Sequence, residues 1–264
     1  MTTERHSDLL LLLLAKGKTS VQDIAAALGA SPATVRRDLI ELEVMGRVER
    51  SHGAARIATG SQKELAFSAR EHDQIDAKRA IALEAAQYIQ PNETLFLDAG
   101  TTVLQLARHI RGIAMPVKVF TNGLAVAQEL AHVAGIETTL IGGRVRPENL
   151  SMVGPAAIAM IEGLWFNRLF LGATAIDCDG WLTSLDAAEA QINAQMVRRS
   201  ASVTVMADGS KFRQRVTYGV TRLSKGQRLI SDVHPTGALA KNLLRLGVNF
   251  TLAKVELGAK AADA

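Results

Sequence analysis

The sequence predicts an α/β protein in two parts, an N-terminal winged helix-turn-helix followed by a larger, doubly wound parallel-sheet domain. Three observations carry that expectation. Hydrophobic residues fill 48% of the 264 positions but aromatics only 4%, a balance that suits helices packed on a buried parallel sheet better than an antiparallel sandwich. Short helix-compatible segments punctuated by Gly17 and Gly29 open the chain. From Gln74 onward, short apolar strands alternate with helical stretches, the pattern of a parallel sheet covered on both faces. A chain of this length can bury one large core and carry a small satellite domain. The expected boundaries are 1–57 for the winged helix-turn-helix, 58–74 for a polar linker and 75–264 for the α/β domain.

The first helix is expected over 4–15, where Gly17 ends it. Its leucine run over 9–14 follows Glu4 and Asp8 and leads into Lys16-Gly17-Lys18 without a small-residue cleavage site, so it does not read as a signal peptide. It is also far too short to span a bilayer. Ser20 or Thr19 caps a second helix over 21–28, whose Val21, Ile24, Ala25 and Leu28 make one apolar stripe before Gly29 stops it. Ser31-Pro32 then opens a third helix with a hydroxyl at the cap and a proline in the first turn, where no N–H is missed.

In that third helix Val35, Leu39 and Leu42 face inward, which turns Ala33, Thr34, Arg36 and Arg37 outward on its first turns. Such a leading end suits the major groove, where Arg bonds guanine edges, Thr touches a base or phosphate, and the helix's positive end favours phosphate. On the arginine pair alone, a merely solvated helix face remains an open alternative. Residues 46–57 read as two extended pieces around a His52-Gly53 turn, a wing. Arg47, Arg50, His52 and Arg56 would lie on that ribbon, able to straddle the phosphate backbone; His52 is either the wing-tip contact or an ordinary loop histidine.

Bulk charge does not decide the matter. The formal net charge is +4, and residues 1–57 hold eight Lys/Arg against seven Asp/Glu, so a nucleic-acid reading rests on where the charges sit. Cys178 is the only cysteine, which rules out an intrachain disulfide and suggests neither an oxidising compartment nor a zinc site, so a cytoplasmic location fits. No metal and no cofactor are expected.

Beyond the linker, a helix is expected to 89, strands over 94–97, 117–120, 138–141, 168–171 and 202–206, and helices from 101 and 123 and over 155–162 and 187–199. Ligands of such sheets bind beyond the carboxyl ends of the strands. Those ends read Asp98-Ala99-Gly100-Thr101-Thr102, Thr121-Asn122-Gly123, Gly142-Gly143-Arg144, Gly172-Ala173-Thr174 and Asp208-Gly209-Ser210-Lys211. Glycines let backbone N–H groups approach an anion, the helix start at Thr101-Thr102 favours negative charge, and Lys211 or Arg144 is placed to neutralise it. A sugar phosphate or similar polyol anion is the natural occupant. Glycine and asparagine end strands in any α/β domain, but five such loops on one rim favour a pocket. Among the other polar residues, Asp186 and Glu189 read as helix caps, Asp177 and Asp179 as turn residues beside Cys178, and His109, His132 and His234 as surface positions.

The span Val21-Gln22-Asp23-Ile24-Ala25, then Ser31-Pro32-Ala33-Thr34-Val35-Arg36-Arg37-Asp38-Leu39 and Leu42-Glu43, resembles the DNA-binding domain of the DeoR (deoxyribose operon repressor) family of bacterial regulators. Gly46, Arg50 and His52-Gly53-Ala54 resemble that family's wing. The resemblance implies Thr34, Arg36 and Arg37 at the DNA, with Ser31, Ala33, Arg47, Arg50 and His52 completing the contact set. Residues 75–255 resemble the family's sensor domain, which looks like the sugar-phosphate isomerases in fold; the matching runs are the strand ends above together with Leu140-Ile141, 151–154, Ala207 and Phe212. Of the strand ends, the family match covers 98–102, Thr121-Asn122, Gly142-Gly143, Gly172-Ala173 and 208–211 and stops short of Gly123, Arg144 and Thr174. By resemblance, Asp98, Gly100, Thr101, Thr102, Thr121, Asn122, Gly142, Gly143, Arg144, Gly172, Glu189, Asp208, Ser210 and Lys211 bind a phosphorylated effector that weakens operator binding. Three positions depart from the family pattern: Asn193 stands where lysine is expected, and Ala99 and Gly123 replace the usual serines. The pocket therefore has fewer donors, which permits a bulkier or differently charged ligand, with Arg144, Arg146 or Arg198 as substitute cations.

Two rival readings stand beside this one. A sugar-phosphate isomerase or deaminase with an appended DNA-binding domain needs a positioned carboxylate and a partner acid on one rim; Asp98, Asp208 and Glu189 are available, but only fold analogy pairs them. A scaffold whose helix-turn-helix only dimerises would bury Arg36 and Arg37 at a desolvation cost. The expectation is a non-enzymatic, homo-oligomeric repressor of a carbohydrate catabolic operon, dimer or tetramer, whose partners are double-stranded operator DNA and a small-molecule effector, with no membrane involved.

Overall fold

A computed structural model of the chain describes residues 2–44, 48–51, 53–57, 67–113 and 115–255. The chain divides into two compact units, Met1–Asp73 and Gln74–Ala264.

The first unit runs α1 (Thr2–Lys16), β1 (Thr19–Ser20), α2 (Val21–Leu28), α3 (Pro32–Val44), β2 (Val48–Ser51), β3 (Ala54–Ile57) and α4 (Phe67–His72). Leu9, Leu10 and Leu13 from α1 join Val21, Ile24, Ala25, Val35, Leu39, Leu42, Val48 and Ala55 in a single core. Ser20, not Thr19, caps α2: its Oγ accepts the Asp23 N–H at 3.1 Å, while the Thr19 hydroxyl donates to the Gly17 carbonyl at 3.1 Å. Gly29 ends α2 in the left-handed region, at φ +59°, where a Cβ would be strained. β2 and β3 form the expected antiparallel hairpin, and β1 adds a third strand in the order β1-β3-β2.

The linker reading needs correction. Residues 58–66 lie outside the described residues, but 67–72 form α4, with Phe67 and Ala69 buried and the helix packed on α1. Its six residues are too few for helical periodicity to stand out from the surrounding polar sequence.

The second unit runs α5 (Ile75–Ala86), β4 (Thr94–Leu97), α6 (Thr101–Arg111), β5 (Val117–Thr121), α7 (Leu124–Leu130), β6 (Ile136–Leu140), β7 (Arg144–Arg146), β8 (Ser151–Val153), α8 (Pro155–Glu162), β9 (Phe166–Gly172), β10 (Ala175–Ile176), β11 (Trp181–Ser184), α9 (Ala187–Arg198), β12 (Ser200–Met206), β13 (Tyr218–Arg222), β14 (Arg228–Ser231), α10 (Gly237–Leu246) and β15 (Asn249–Leu252). Seven strands form one parallel sheet in the order β15-β14-β12-β9-β4-β5-β6. From β4 the chain steps to β5 and β6 in one direction, then returns to β9 and steps through β12, β14 and β15 in the other. Right-handed crossovers place the helices of the two runs on opposite faces. The direction reverses between β4 and β9, which makes the gap beyond their carboxyl ends the switch point of the sheet.

Phe96, Leu169, Leu171, Val203, Val205 and Leu229 from the sheet pack with Ile192 and Met196 of α9 and Leu239 and Leu243 of α10. The strand expected over 138–141 is displaced to Ile136–Leu140. Besides the helix α10, the features not anticipated are the β7–β8 hairpin, the antiparallel sheet β10-β11-β13 and the strands β14 and β15. Their short, mixed-polarity segments carry little of the apolar signal that marks buried parallel strands. Among the described residues no helix is long and apolar enough to cross a membrane.

Candidate nucleic-acid interface and effector rim

On α3, Val35, Leu39 and Leu42 are buried, so the opposite face is turned outward. Ser31 caps the helix, its Oγ accepting the Thr34 N–H at 3.1 Å and lying 2.9 Å from the Thr34 hydroxyl. Ser31, Ala33, Arg36 and Arg37 are exposed and Thr34 is half-buried. Neither Arg36 nor Arg37 forms an ion pair among the described residues. Arg50, on the ribbon as expected, is engaged by Glu43. Its Nε donates to Glu43 Oε2 at 2.7 Å and its backbone N–H to Glu43 Oε1 at 3.3 Å. Arg56 is likewise held by Glu49 at 2.6 Å. Arg47 and His52 lie outside the described residues. Between α3 and the β2–β3 hairpin is a hollow of about 330 Å³ lined by Val21, Arg36, Leu39, Glu43, Arg50, Ser51, Gly53 and Ala54.

Sequence reasoning missed what holds α3. Asp38 is 1% exposed and receives Arg5 Nε and Nη2 from α1 at 2.5 and 2.9 Å, with His6 Nε2 at 3.3 Å. The signal was present: Asp38 sits three residues after Val35 and four before Leu42, on the inward stripe, where an acid is tolerated only if paired.

At the switch point Asp98 follows β4 and Gly172 ends β9. Asp98 is 5% exposed; its Oδ2 accepts the Gly172 N–H at 3.1 Å, and the Ala99 and Gly100 amides also bond the carboxylate. Burial first, and then the nearby Glu189 carboxylate, push its pKa up to about 7. A Cβ at Gly100 would stand 3.2 Å from this carboxylate, and one at Gly172 3.1 Å, so a side chain at either position would press on it.

Several rim amides are engaged within the protein itself. The Gly172 N–H belongs to Asp98, the Gly209 N–H to Asp232 at 2.8 Å, the Ser210 N–H to Asp208 at 3.0 Å and the Gly123 N–H to Thr121 Oγ1 at 3.0 Å. The Ser210 hydroxyl also bonds Asp208, and Lys211 Nζ lies 3.8 Å from the same carboxylate. Three of these four amides go to aspartates and the fourth to the Thr121 hydroxyl.

Glu189 is a buried centre, and Asp186 alone is the cap, its Oδ1 accepting the Glu189 N–H at 2.9 Å. Glu189 Oε1 accepts from Asn149 at 2.7 Å and Ser151 at 2.8 Å and pairs with Arg146 at 3.2 Å. Arg146, buried on the β7–β8 hairpin, also lies 3.4 Å from Asp186. Of the three proposed substitute cations it is the one brought to the acids. Arg144 is exposed on β7, and Arg198 bonds Gln195 at 2.6 Å. Gly142 and Gly143 lead into the hairpin, Gly143 at φ +147° with its missing Cβ only 2.8 Å from the Val153 carbonyl. Thr101 and Thr102 are buried in the first turn of α6, which has no side-chain cap. Asn122 is 1% exposed; its Nδ2 donates to the Met152 carbonyl at 3.5 Å, and its Oδ1 has no hydrogen-bond partner among the described residues.

Ala99 and Gly123, two of the three departures, touch one another. A Cβ on Gly123 would sit 2.8 Å from Ala99 Cα and 3.1 Å from its Cβ. Gly123→Ser is therefore expected to lower the stability of the α/β unit by roughly 1–3 kcal/mol through overpacking against backbone, measured as a lower unfolding midpoint of that unit in urea. A variant as stable as the parent would show that the two loops part easily.

Comparison with known proteins agrees with this architecture. Residues 5–60 match the DeoR-like helix-turn-helix domain and residues 73–233 the DeoR C terminal sensor domain. The HTH-type transcriptional repressor CsqR of Escherichia coli (strain K12) is 32% identical over 239 residues, covering 90% of this chain and 91% of that protein. The HTH-type transcriptional regulator GlpR of Haloferax volcanii is 34% identical over 232 residues, 88% of this chain and 90% of that one. Among solved structures, ribose 5-phosphate isomerase A from Methanocaldococcus jannaschii aligns at a TM-score of 0.40 and 15% identity, over 53% of this chain and 56% of that chain. With both of its domains matched in order, the chain belongs to the DeoR family of DNA-binding transcription regulators.

Proposed function

We propose that this protein represses a carbohydrate catabolic operon by seating the first turns of α3 in the operator's major groove, and that a phosphorylated sugar or related metabolite at the rim of the α/β unit releases it. The observation that carries the reading is the two-sidedness of α3: Val35 and Leu39 are buried while Arg36 and Arg37 stand exposed without an ion pair among the described residues. Arg36 and Arg37 read bases or phosphates, Ser31, Ala33 and Thr34 approach the same groove, and the wing adds backbone contacts through Arg47, Arg50 and His52. At the rim, Asp98, Asn122 and Glu189 accept hydrogen bonds from ligand hydroxyls, and the helix start at Thr101-Thr102 together with Lys211 supplies positive potential for the phosphate. Two copies of so small a DNA-binding unit are needed to read paired half-sites, so the regulator works in the cytoplasm as a dimer or tetramer.

A gel-shift titration on the protein's own upstream DNA, repeated with a panel of phosphorylated and free sugars, tests this. Retardation that one phosphorylated compound relieves is the expected result; ligand and operator binding with no mutual effect would sink the mechanism. One observation favours a second reading, an isomerase or deaminase with an appended DNA-binding domain. Asp98, raised to about 7 beside Glu189, is a proton-transfer candidate. Turnover of labelled sugar phosphates by the purified protein would favour that enzyme.

The raised Asp98 pKa also sets a pH dependence. The folded state holds a proton between its ordinary value of 3.8 and about 7 that the unfolded state releases, so stability falls as pH rises through that window and levels off above it. Asp98→Asn should flatten this slope, gaining stability over the parent at pH 8 that it lacks at pH 4. Parallel unfolding curves for the two proteins at both pH values would contradict it.

A further inference from the structure

We propose that Glu43 is a positioning residue for operator binding: it fixes the wing at a set distance from α3, so an acidic side chain in the DNA-facing unit strengthens the complex. The inference rests on the reading of α3 as the groove-seated helix. Glu43 lies in the last turn of α3, and both of its oxygens reach Arg50 on β2, one at the guanidinium (2.7 Å) and one at the backbone N–H (3.3 Å). The guanidinium bond carries the clamp, being the shorter and the one between full charges, and the backbone bond adds to it. β2 is an edge of the three-stranded sheet, where an outward N–H has no ladder partner; Glu43 supplies one.

The same two residues line the hollow between α3 and the hairpin, together with Arg36, Leu39, Ser51, Gly53 and Ala54. A helix in a major groove about 12 Å wide and a ribbon on the flanking backbone engage one duplex only if the gap between them keeps its width. The Glu43–Arg50 clamp spans that gap, and Arg36 and Arg50 give it cations for a phosphate. Folding does not depend on the clamp, since Val48 and Ala55 anchor the hairpin in the core while Glu43 and Arg50 are 39% and 38% exposed.

Simple electrostatics predicts the opposite sign. Removing an acid near phosphates makes the unit one charge more positive and should tighten binding. The test measures operator affinity and its salt dependence for the full chain carrying Glu43→Gln, Glu43→Asp, Arg50→Gln, or Glu43→Gln with Arg50→Gln. Glu43→Gln should weaken binding about three- to tenfold with an unchanged salt slope and an unchanged thermal midpoint. Glu43→Asp keeps the charge but is one methylene too short for both contacts and should weaken binding as well. The double variant should bind no more weakly than Arg50→Gln alone. Glu43→Gln that binds as tightly as the parent or tighter, Glu43→Asp indistinguishable from the parent, or additive losses in the double variant would each overturn the proposal. Full operator affinity in Arg36→Ala with Arg37→Ala is a distinct result: it would remove α3 from the DNA and the proposal with it.

Discussion

Arg36→Ala combined with Arg37→Ala should abolish operator retardation at concentrations that saturate the parent protein. A base-reading arginine contributes about 1–3 kcal/mol of discrimination, so losing both lowers specific affinity by roughly 10² to 10⁴. The single variants separate the roles. A residue on a base edge relaxes preference at one operator position, whereas a residue on phosphate weakens all sequences alike and reduces the slope of log affinity against log salt by about 0.9. Both side chains are exposed, so the thermal midpoint should hold. Unchanged affinity in the double variant, with its fold intact, would remove α3 from the interface.

Asp38→Ala should have the largest effect on the first unit's stability. The carboxylate is 1% exposed and accepts two bonds from Arg5; charge-assisted bonds in such a place support a loss of about 2–3 kcal/mol. Operator binding should fall with it, because the Asp38 tether to α1 sets the roll of the helix that carries Arg36 and Arg37. The bond from Arg5, together with its charge, holds the Asp38 carboxyl below its ordinary 3.8 even though burial works the other way. The contribution is therefore complete above about pH 4 and is lost as pH falls below 3.8 through the folded value. Unfolding of the first unit followed by circular dichroism checks both points. A midpoint within 1–2 °C of the parent, or an acid limb unchanged in Asp38→Asn, would mean that the apolar core alone holds α3.

What the sequence revealed and what it hid follow from the range of the interactions involved. Helices α1 to α3 and the strands around 94–97 and 117–120 were legible because Ser20, Gly29 and Ser31-Pro32 act locally and buried parallel strands are short apolar runs. The wing was legible from Gly53 and the paired extended pieces. α4 was hidden by its brevity, and so was the β7–β8 hairpin, whose strands are three residues each. At the rim, the loop residues were found but their partners were not. Asp98 to Gly172 spans 74 positions in sequence and Asn149 to Glu189 spans 40, distances at which spacing says nothing about pairing. Reading each loop separately left these amides available for a ligand, whereas folding brings Asp98 to Gly172 and Asp232 to Gly209, and Asp208 takes the Ser210 amide within its own loop. Glu189 passed for a cap because Asp186, three residues earlier, is one.

The contact between Ala99 and Gly123 restricts how this sensor can diverge. A side chain cannot be added at 123 by one substitution without prying the neighbouring loop away. Change should instead accumulate around Gly142 and Arg144, which lie in the open at the mouth of the hairpin and where new side chains alter what the rim admits without disturbing the seam beneath.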